Sequence, residues 1–470
     1  MHVNKTAIKR ENSVVLAITL FQPLPMQREP IDRLLIPTHR FLQQDSASGI
    51  VLIVAVVIAL VWANFGGDSY AALLHTEFSV GFPGWSLTKS IHHWINDGLM
   101  TVFFFSIGLE IKQEIMIGEL STVKKATMPV VAAIGGMVVP ALVFVLLTYG
   151  QPGSQGWGIP MATDIAFALG LLSFISRQVP TSLKVFLTAL AVVDDLGAVL
   201  VIAIFYTEDI MVSDLGVAAL FMGAMFLANY LGFRSTRVYL TLGTLGLWYA
   251  VLLSGVHATI AGVLAAIAIP VRTRLSEAQF TQRMQELTDR FRQSPAGAGN
   301  FLSSEQTHLI DEMDSLTEQA QTPLQRFEHQ LAPLISFVIM PVFALANAGV
   351  VIEGDLLDIL TQPVCYGIIA GLLIGKFVGI YGFSRLSVRL GGGQMPKNSN
   401  WPQLAGISVF GGIGFTMSLF IAELAFTDAT LLRDAKIGIL IASVVASVGA
   451  LTYFKVFLRD RQPEEEKQVV

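Results

Sequence analysis

The chain has a single cysteine, Cys365. It can close no intrachain disulfide and cannot on its own supply a cysteine-based metal site. Charge is also scarce: 14% of the 470 residues are Asp, Glu, Lys or Arg, where a soluble domain carries about 25%. The net charge of −5 is too small to mark an electrostatic partner. A globule with so few charges cannot cover its surface in water. These shortages exclude a nucleic-acid binder, a disordered scaffold and an ordinary cytosolic enzyme. What is abundant is apolar side chain. Hydrophobic residues make up 53% before the 41 glycines are counted, against about 45–50% with glycine included in a soluble domain. The mean hydropathy is +0.62. Most of this chain's solvent is lipid.

A membrane-crossing helix needs about 20 mostly apolar residues to span roughly 30 Å of hydrocarbon. Twelve such stretches stand out, near 47–65, 94–113, 127–149, 157–176, 182–206, 213–231, 237–253, 255–271, 333–350, 364–384, 403–425 and 437–456. The seventh and eighth are separated only by a short Leu-Ser-Gly hinge. Short cytoplasmic loops collect Lys and Arg. With both termini placed in the cytoplasm, all of the 30 basic residues fall in inner segments except Lys89, Arg433 and Lys436 in outer loops and Lys376 inside a span. The organisation read from this is a cytoplasmic extension over 1–45, helices 1–8 over 46–271, a long cytoplasmic loop over 272–330, helices 9–12 over 331–458 and a charged tail over 459–470. A signal-peptide reading of Val14 to Phe21 is disfavoured by its shortness and by Pro23 and Pro25. Within the loop, Ser276–Arg292 and Ser303–Gln319 read as helices, and the stretch 66–93 with Gly81-Phe-Pro-Gly84 reads as an outer hairpin that pairs protomers.

A charge at the bilayer centre costs at least ~2.5–3.5 kcal/mol, so each one needs a reason. The candidates are Asp97, Asp164, Asp194, Asp195, Lys376 and Glu423, with His257 and Glu110 nearer the span ends. Asp194 and Asp195 are adjacent, so on a helix their side chains point about 100° apart. One is free to face a pathway while the other meets a neighbouring helix. The competing reading is a pair of structural ion pairs, a poor route to stability in this medium. Asp164 sits in Gly158-Ile-Pro-Met-Ala-Thr-Asp-Ile-Ala-Phe-Ala-Leu-Gly170, where Pro160 disfavours a continuous helix. A second interruption lies at Phe410-Gly-Gly-Ile-Gly-Phe-Thr416. Unwound backbone at that depth is tolerated only where it is buried in protein or lines a cavity; the alternative is tight packing on small residues. The two segments are the middle members of the triplets 127–206 and 364–456, which start on opposite sides of the membrane. That pattern is an inverted repeat, and broken helices at matching positions point to a transport site. Asp164 would offset the positive half-helix ends and Lys376 the negative ones. Snorkelling is the alternative for Lys376, although it lies about a dozen residues into its span.

These segments resemble the NhaA family of bacterial sodium/proton antiporters. The resemblance rests on Trp94-Ile-Asn-Asp-Gly-Leu-Met100, Gly108-Leu-Glu-Ile-Lys112, Ala132-Ala-Ile-Gly-Gly-Met137, Ala162-Thr-Asp-Ile-Ala-Phe-Ala-Leu-Gly170, Val193-Asp-Asp-Leu-Gly197, Ser254-Gly-Val-His-Ala-Thr259, Phe343-Ala-Leu-Ala-Asn-Ala-Gly349, Leu373-Ile-Gly-Lys376 and Gly412-Ile-Gly-Phe-Thr-Met417. They run in order from about residue 40 to 456. The resemblance implies an all-α integral membrane protein of twelve transmembrane helices with an inverted repeat and two crossed, interrupted helices. It implies no cofactor, transported Na+ or Li+ and H+, a homodimer in the bacterial inner membrane, and the lipid bilayer and monovalent cations as partners, with no nucleic acid. It assigns Asp194 and Asp195 to the cation and proton site with Thr163 beside the break, and Asp164 and Lys376 to charge balance. Family accounts differ on whether the lysine carries a proton, paired to Asp194. Asp97 falls at a position associated with transport. Glu110, Glu114, Glu328 and His329 match a cytoplasmic pH-responsive region, and His257 lies in a motif also tied to pH response. Glu423 matches no motif and is expected to face water at the outer end of its span.

Together these readings predict competition for one site. Sodium prefers oxygen ligands, and a carboxylate starved of water beside a like charge holds its proton more tightly. Sodium from the cytoplasm displaces protons, the site turns outward, and external protons displace sodium. Two titrating groups per cation make the exchange electrogenic. A sodium-coupled solute symporter would need a roomy polar pocket that these spans hardly supply. An intramembrane aspartyl protease would need Tyr-Asp and Gly-x-Gly-Asp, whereas Asp164 follows Ala-Thr and Asp194 follows Val-Val. In a passive channel, buried carboxylates and a lysine would obstruct rapid flow.

Overall fold

A computed structural model describes residues 45–82, 85–175, 178–207, 210–273, 275–297, 301–352 and 354–457. The extension over 1–45, apart from Asp45, and the tail over 459–470 lie outside them. The described chain is an all-α multi-pass membrane protein with one β-hairpin. Its helices of nine or more residues are α1 (Asp45–Phe65), α2 (Ile91–Met116), α3 (Val123–Thr148), α4 (Ile165–Ser173), α5 (Thr181–Phe205), α6 (Val212–Tyr230), α7 (Thr236–Leu253), α8 (Ala258–Ala268), α9 (Glu277–Gln293), α10 (Ser304–Ala320), α11 (Pro323–Asn347), α12 (Pro363–Arg389), α13 (Trp401–Phe410), α14 (Phe415–Ala425) and α15 (Ala429–Phe457). A tight 3-10 segment, Ser154–Met161, precedes α4 and completes its span.

Ten of these segments are long and apolar enough to cross a membrane, and α13 with α14, bent by 45° at the break, makes an eleventh. The twelfth apolar stretch, expected over 255–271, is only the 11-residue α8. At 1.5 Å per residue it spans about 16 Å, half of a hydrocarbon core. It starts late because the chain turns at Gly255, whose φ of +81° favours glycine. Its far end is finished by Lys112, whose ammonium donates to the carbonyls of Ile267 at 2.6 Å and Ile269 at 2.5 Å. A cation at a helix C-terminus satisfies carbonyls that have no partner within the helix.

The helices form two bundles. In one, α3–α5 and α12–α15 pack together, with α3 lying along α12; in the other, α2 packs on α8, α6 on α7, and α11 on α1. The crossing of α3 and α12 depends on missing side chains. A Cβ at Gly379 would meet the Gly135 carbonyl oxygen at 2.2 Å, so the two backbones touch as small residues allow in membranes. Each three-span unit of this bundle has the same plan of long helix, broken span and long helix.

The hairpin pairs β1 (Glu77–Phe82) with β2 (Trp85–Ser90) in antiparallel register, with Glu77 opposite Ser90. It leads directly into α2, so one end of the molecule is the hairpin end. The opposite end carries α9 and α10. Their starts are fixed by capping boxes, in which Ser276 and Gln279, and Ser303 and Gln306, satisfy each other's backbone donors. Two boundaries differ from expectation. The helix containing the ninth span begins at Pro323, within the region read as loop, because Thr322 and Gln325 form a third capping box. The last helix begins at Ala429 rather than near 437, so Arg433 and Lys436 belong to a helix, not to an outer loop. Lys436 is buried there.

Candidate functional site

The two broken spans meet at their breaks. Between the 3-10 segment and α4, residues 162–164 are not helical, and between α13 and α14 the chain is unwound around 411–414. Backbone from one break meets backbone from the other: Asp164 N donates to the Ile413 carbonyl at 2.7 Å, and the Thr163 hydroxyl donates to the Gly411 carbonyl at 3.0 Å. A Cβ at Gly412 would sit 2.6 Å from the Leu372 carbonyl oxygen, so the crossing closes against α12 only with glycine there.

Asp164 joins two positive helix ends. Its Oδ1 accepts the Phe167 amide at 2.9 Å, capping α4, while its Oδ2 accepts the Thr416 amide at 3.1 Å and the Thr416 hydroxyl, in the first turn of α14. Both half-helix N-termini thus point at one carboxylate. The Ser418 hydroxyl adds a bond to the Ile159 carbonyl at 2.8 Å.

Asp194 and Asp195 lie mid-way along α5, each 1% exposed, and Lys376 on α12 is fully buried. Lys376 follows a π-helical turn, Gly371–Gly375, of the kind that recurs at functional sites. Its ammonium donates to Asp194 Oδ2 at 2.5 Å. The expected role of Lys376, offsetting the negative half-helix ends, meets a different arrangement. The carbonyls of Gly411 and Ile413 are taken by Thr163 and Asp164, and the lysine is held by Asp194. The Thr163 side chain and amide lie beside the Asp194 carboxylate.

Asp195 differs from its neighbour in having no ion pair among the described residues, whereas Asp194 has Lys376. The Oδ1 atoms of both aspartates are buried with no hydrogen-bond partner among the described residues, and the charged groups that act on Asp195 are Asp194, Glu110, Asp164 and Lys376. Burying an uncompensated charge is costly. The Asp195 carboxylate is therefore a buried acid without a countercharge in direct contact.

The structure brings Glu110, Glu114 and Glu328 together, with Glu110 half-buried between the other two. Phe105 and Phe327 hold the start of α11 against α2, ring centroids 5.2 Å apart. His329 is exposed beside this group. The acidic run reaches Asp195 through Glu110. His257 is not part of it. Its Nε2 lies 2.5 Å from the Tyr206 carbonyl oxygen, at the opposite end of α8, because α2 and α8 run antiparallel with Gly262 against Thr101 and Gly108 against Ala266. Asp97 shares that end with His93 and His257 and lies in a π-helical turn of α2, Trp94–Leu99.

The expectation for Glu423 fails. Rather than facing water, its Oε1 lies 2.6 Å from Lys436 Nζ and 3.8 Å from His92 Nε2, with the side chain 12% exposed. The sequence pattern puts Lys436 in an outer loop because the apolar run begins only near 437, whereas the helix begins at Ala429. Thr416 lies in Gly412-Ile-Gly-Phe-Thr-Met417, and the sequence pattern gives it no role. Its position just after a break, where a hydroxyl can meet a cap, is the signal that would have found it.

The family model described as Na+/H+ antiporter 1 matches residues 39–454. The chain belongs to this family of transporters, the NhaA Na+/H+ antiporters. A Na(+)/H(+) antiporter NhaA of Oleidesulfovibrio alaskensis is 48% identical over 93% of this chain and 97% of its own length. The Na(+)/H(+) antiporter NhaA 1 of Saccharophagus degradans is 43% identical over 91% and 92%. The Na(+)/H(+) antiporter NhaA 2 of Syntrophotalea carbinolica is 44% identical over 88% and 95%. Membership makes this chain a transporter rather than an enzyme.

Proposed function

We propose that the protein exchanges cytoplasmic Na+, or Li+, for external H+ across the bacterial inner membrane. Asp195 and Asp194 form the shared site, and Thr163 supplies a further oxygen. The observation that carries this reading is a pair of adjacent buried carboxylates, each with an Oδ1 that lacks a hydrogen-bond partner, of which Asp194 is paired with Lys376 and Asp195 has no ion pair among the described residues. Sodium, a hard cation, takes the carboxylate oxygens; a proton on the same oxygen excludes it. The two groups titrate as a coupled unit. The loop end, which collects Lys and Arg, faces the cytoplasm, and the acidic group of Glu110, Glu114, Glu328 and His329 tunes access there with pH. Asp97 acts on the hairpin-end route.

The site turns from one face to the other by rocking of one bundle against the other about the crossed breaks, with Asp164 holding the crossing's charge balance. Two protons per cation carry one net charge per cycle, worth ~2.3 kcal/mol per 100 mV of membrane potential. The second proton belongs to the Asp194–Lys376 pair. A homodimer joined through the hairpin is part of this reading, supported by the exposed Phe78 and Val80 on a two-stranded ribbon with free edges. A symporter gains no support, since the relatives matched over most of the chain are named as Na(+)/H(+) antiporters.

The test uses acid-loaded everted vesicles. Added sodium should make the lumen alkaline, and Asp195→Asn should abolish the response. A requirement for an organic solute, or a full response in Asp195→Asn, contradicts the proposal. Absence of transport-linked current in proteoliposomes contradicts the electrogenic part.

A further inference from the structure

Beyond the central site, a second, partly buried polar cluster joins the bundles at the hairpin end. His92 and Asn96 come from α2 and Asn347 from α11; Glu423 comes from α14 and Lys436 from α15. The first three therefore belong to one bundle and the last two to the other. The links are Asn347 Nδ2 to Asn96 Oδ1 at 2.9 Å, His92 Nε2 to Asn347 Oδ1 at 3.1 Å and His92 Nε2 to Asn96 Nδ2 at 3.3 Å. His92 Nε2 also lies 3.8 Å from Glu423 Oε1, and Glu423 Oε1 lies 2.6 Å from Lys436 Nζ.

The surroundings of His92 Nε2 suit either protonation state. Bare, it accepts from the Asn96 amide. Protonated, it donates to the Asn347 oxygen and presents its charge to Glu423. The other titratable or charged groups facing the cluster are His93 beside His92, Asp97 one turn further along α2, and Tyr70, which faces Glu423 from the short helix Ser69–His75. The Tyr70 hydroxyl donates to the Leu345 and Ala346 carbonyls at 2.8 Å each, next to Asn347. Burial raises its pKa above the ordinary value, so it remains a neutral donor and does not compete in the physiological range. Asp434 is held by its neighbour Arg433 at 3.0 Å.

We propose that His92, Glu423 and Lys436 form an inter-bundle latch that must part whenever the exchanger opens at the hairpin end, and that protonation of His92 tightens it. The inference rests on the rocking-bundle antiport reading above. With His92 neutral, Glu423 and Lys436 satisfy each other within one bundle, and only the Asn96–Asn347 frame faces them. With His92 protonated, Glu423 gains a second cationic partner across the interface, and separation of the bundles then breaks a charge-assisted contact. The latch makes His92 and Glu423 positioning residues for opening, distinct from the ion site.

The experiment combines hydrogen exchange and transport on the full chain. Amide protection around 346–350 and 426–428 is measured at about pH 5.5 and about pH 7.5, either side of the ordinary histidine pKa, after correction for intrinsic exchange rates. In the unsubstituted protein, protection should be at least several-fold greater at the acid pH, and His92→Gln should erase that difference. In proteoliposomes with acid at the hairpin face, the charge-balanced double variant Glu423→Gln with Lys436→Met should turn over several-fold faster than the parent protein. Equal pH-dependent protection in His92→Gln, or parental turnover in the double variant, overturns the latch while leaving antiport intact. If the parent protein shows no Asp195-dependent sodium exchange, the antiport reading falls and the latch falls with it. The hydrogen-exchange comparison on the unsubstituted protein needs no variant to fold, and lack of a pH difference there also overturns the latch.

Discussion

Two lysine–carboxylate pairs lie within one bundle, and they differ in an instructive way. Lys376 and Asp194 meet at 2.5 Å with both side chains fully buried. Lys436 and Glu423 meet at 2.6 Å with 11% and 12% exposed. Their contact geometry is nearly the same. What separates them is the neighbour: beside Asp194 stands a second buried carboxylate that has no ion pair among the described residues, whereas Glu423 has a histidine from the other bundle. In the proposed exchange a buried pair alone does not make the ion site; the pair has to stand next to a second buried acid that has no ion pair of its own. The second pair is a contact between bundles, where a proton changes how firmly they hold.

The comparison can be broken at either pair. Removing one partner of a fully buried ion pair costs about 3–5 kcal/mol. Thermal unfolding in detergent should therefore show Lys376→Met as the most damaging change, with most of the loss recovered by adding Asp194→Asn; a single variant as stable as its parent would contradict the pairing. Thr416→Val removes the hydroxyl bond to Asp164 and keeps the backbone bond, at a cost of about 2 kcal/mol for a bond to a charged group; an unchanged melting temperature would mean that the crossing does not depend on that cap. Lys436→Met should cost about 1 kcal/mol, since the Glu423 left behind keeps some solvent and His92; a loss equal to that of Lys376→Met would erase the distinction between the pairs.

The smallest effect belongs to Asp428, between α14 and α15. The Leu431 and Thr430 amides donate to its carboxylate and hold its pKa below the ordinary aspartate value. A depressed carboxylate stabilises the fold above its unfolded pKa of about 3.9 and loses that contribution as pH falls through the folded value. The melting-temperature gap between the parent protein and Asp428→Asn should therefore be widest near neutral pH and close below about pH 4. A gap that widens in acid would contradict the assignment.

Much of the fold was legible because lipid imposes length. Apolar runs of about 20 residues and the alternation of basic loops locate the spans, and Pro160 with the glycines at 411–414 locates both breaks. The loop helices begin at Ser276 and Ser303 because Ser and Gln three residues apart cap each other. Three features were not legible. The shortness of α8 depends on Gly255 turning the chain and Lys112 finishing the helix from α2, a contact across 155 residues. The start of α15 was missed because Arg433 and Lys436 read as loop charges, and only the fold brings Glu423 to Lys436. The place of Asp164 at the positive half-helix ends follows from the broken helices, and the pairing of Lys376 with Asp194 is reached only through the family resemblance; the particular amides and hydroxyl that meet Asp164 depend on how the spans cross, which one-dimensional spacing does not encode.

The central claim is that sodium and protons compete for the carboxylates of Asp194 and Asp195. It is tested most directly at equilibrium, by adding sodium to purified protein in weakly buffered detergent solution at neutral pH and following the pH of the medium. The account predicts that sodium drives protons off the parent protein, saturably, and that Asp195→Asn releases none. Sodium binding without proton release, or undiminished release from Asp195→Asn, would contradict it.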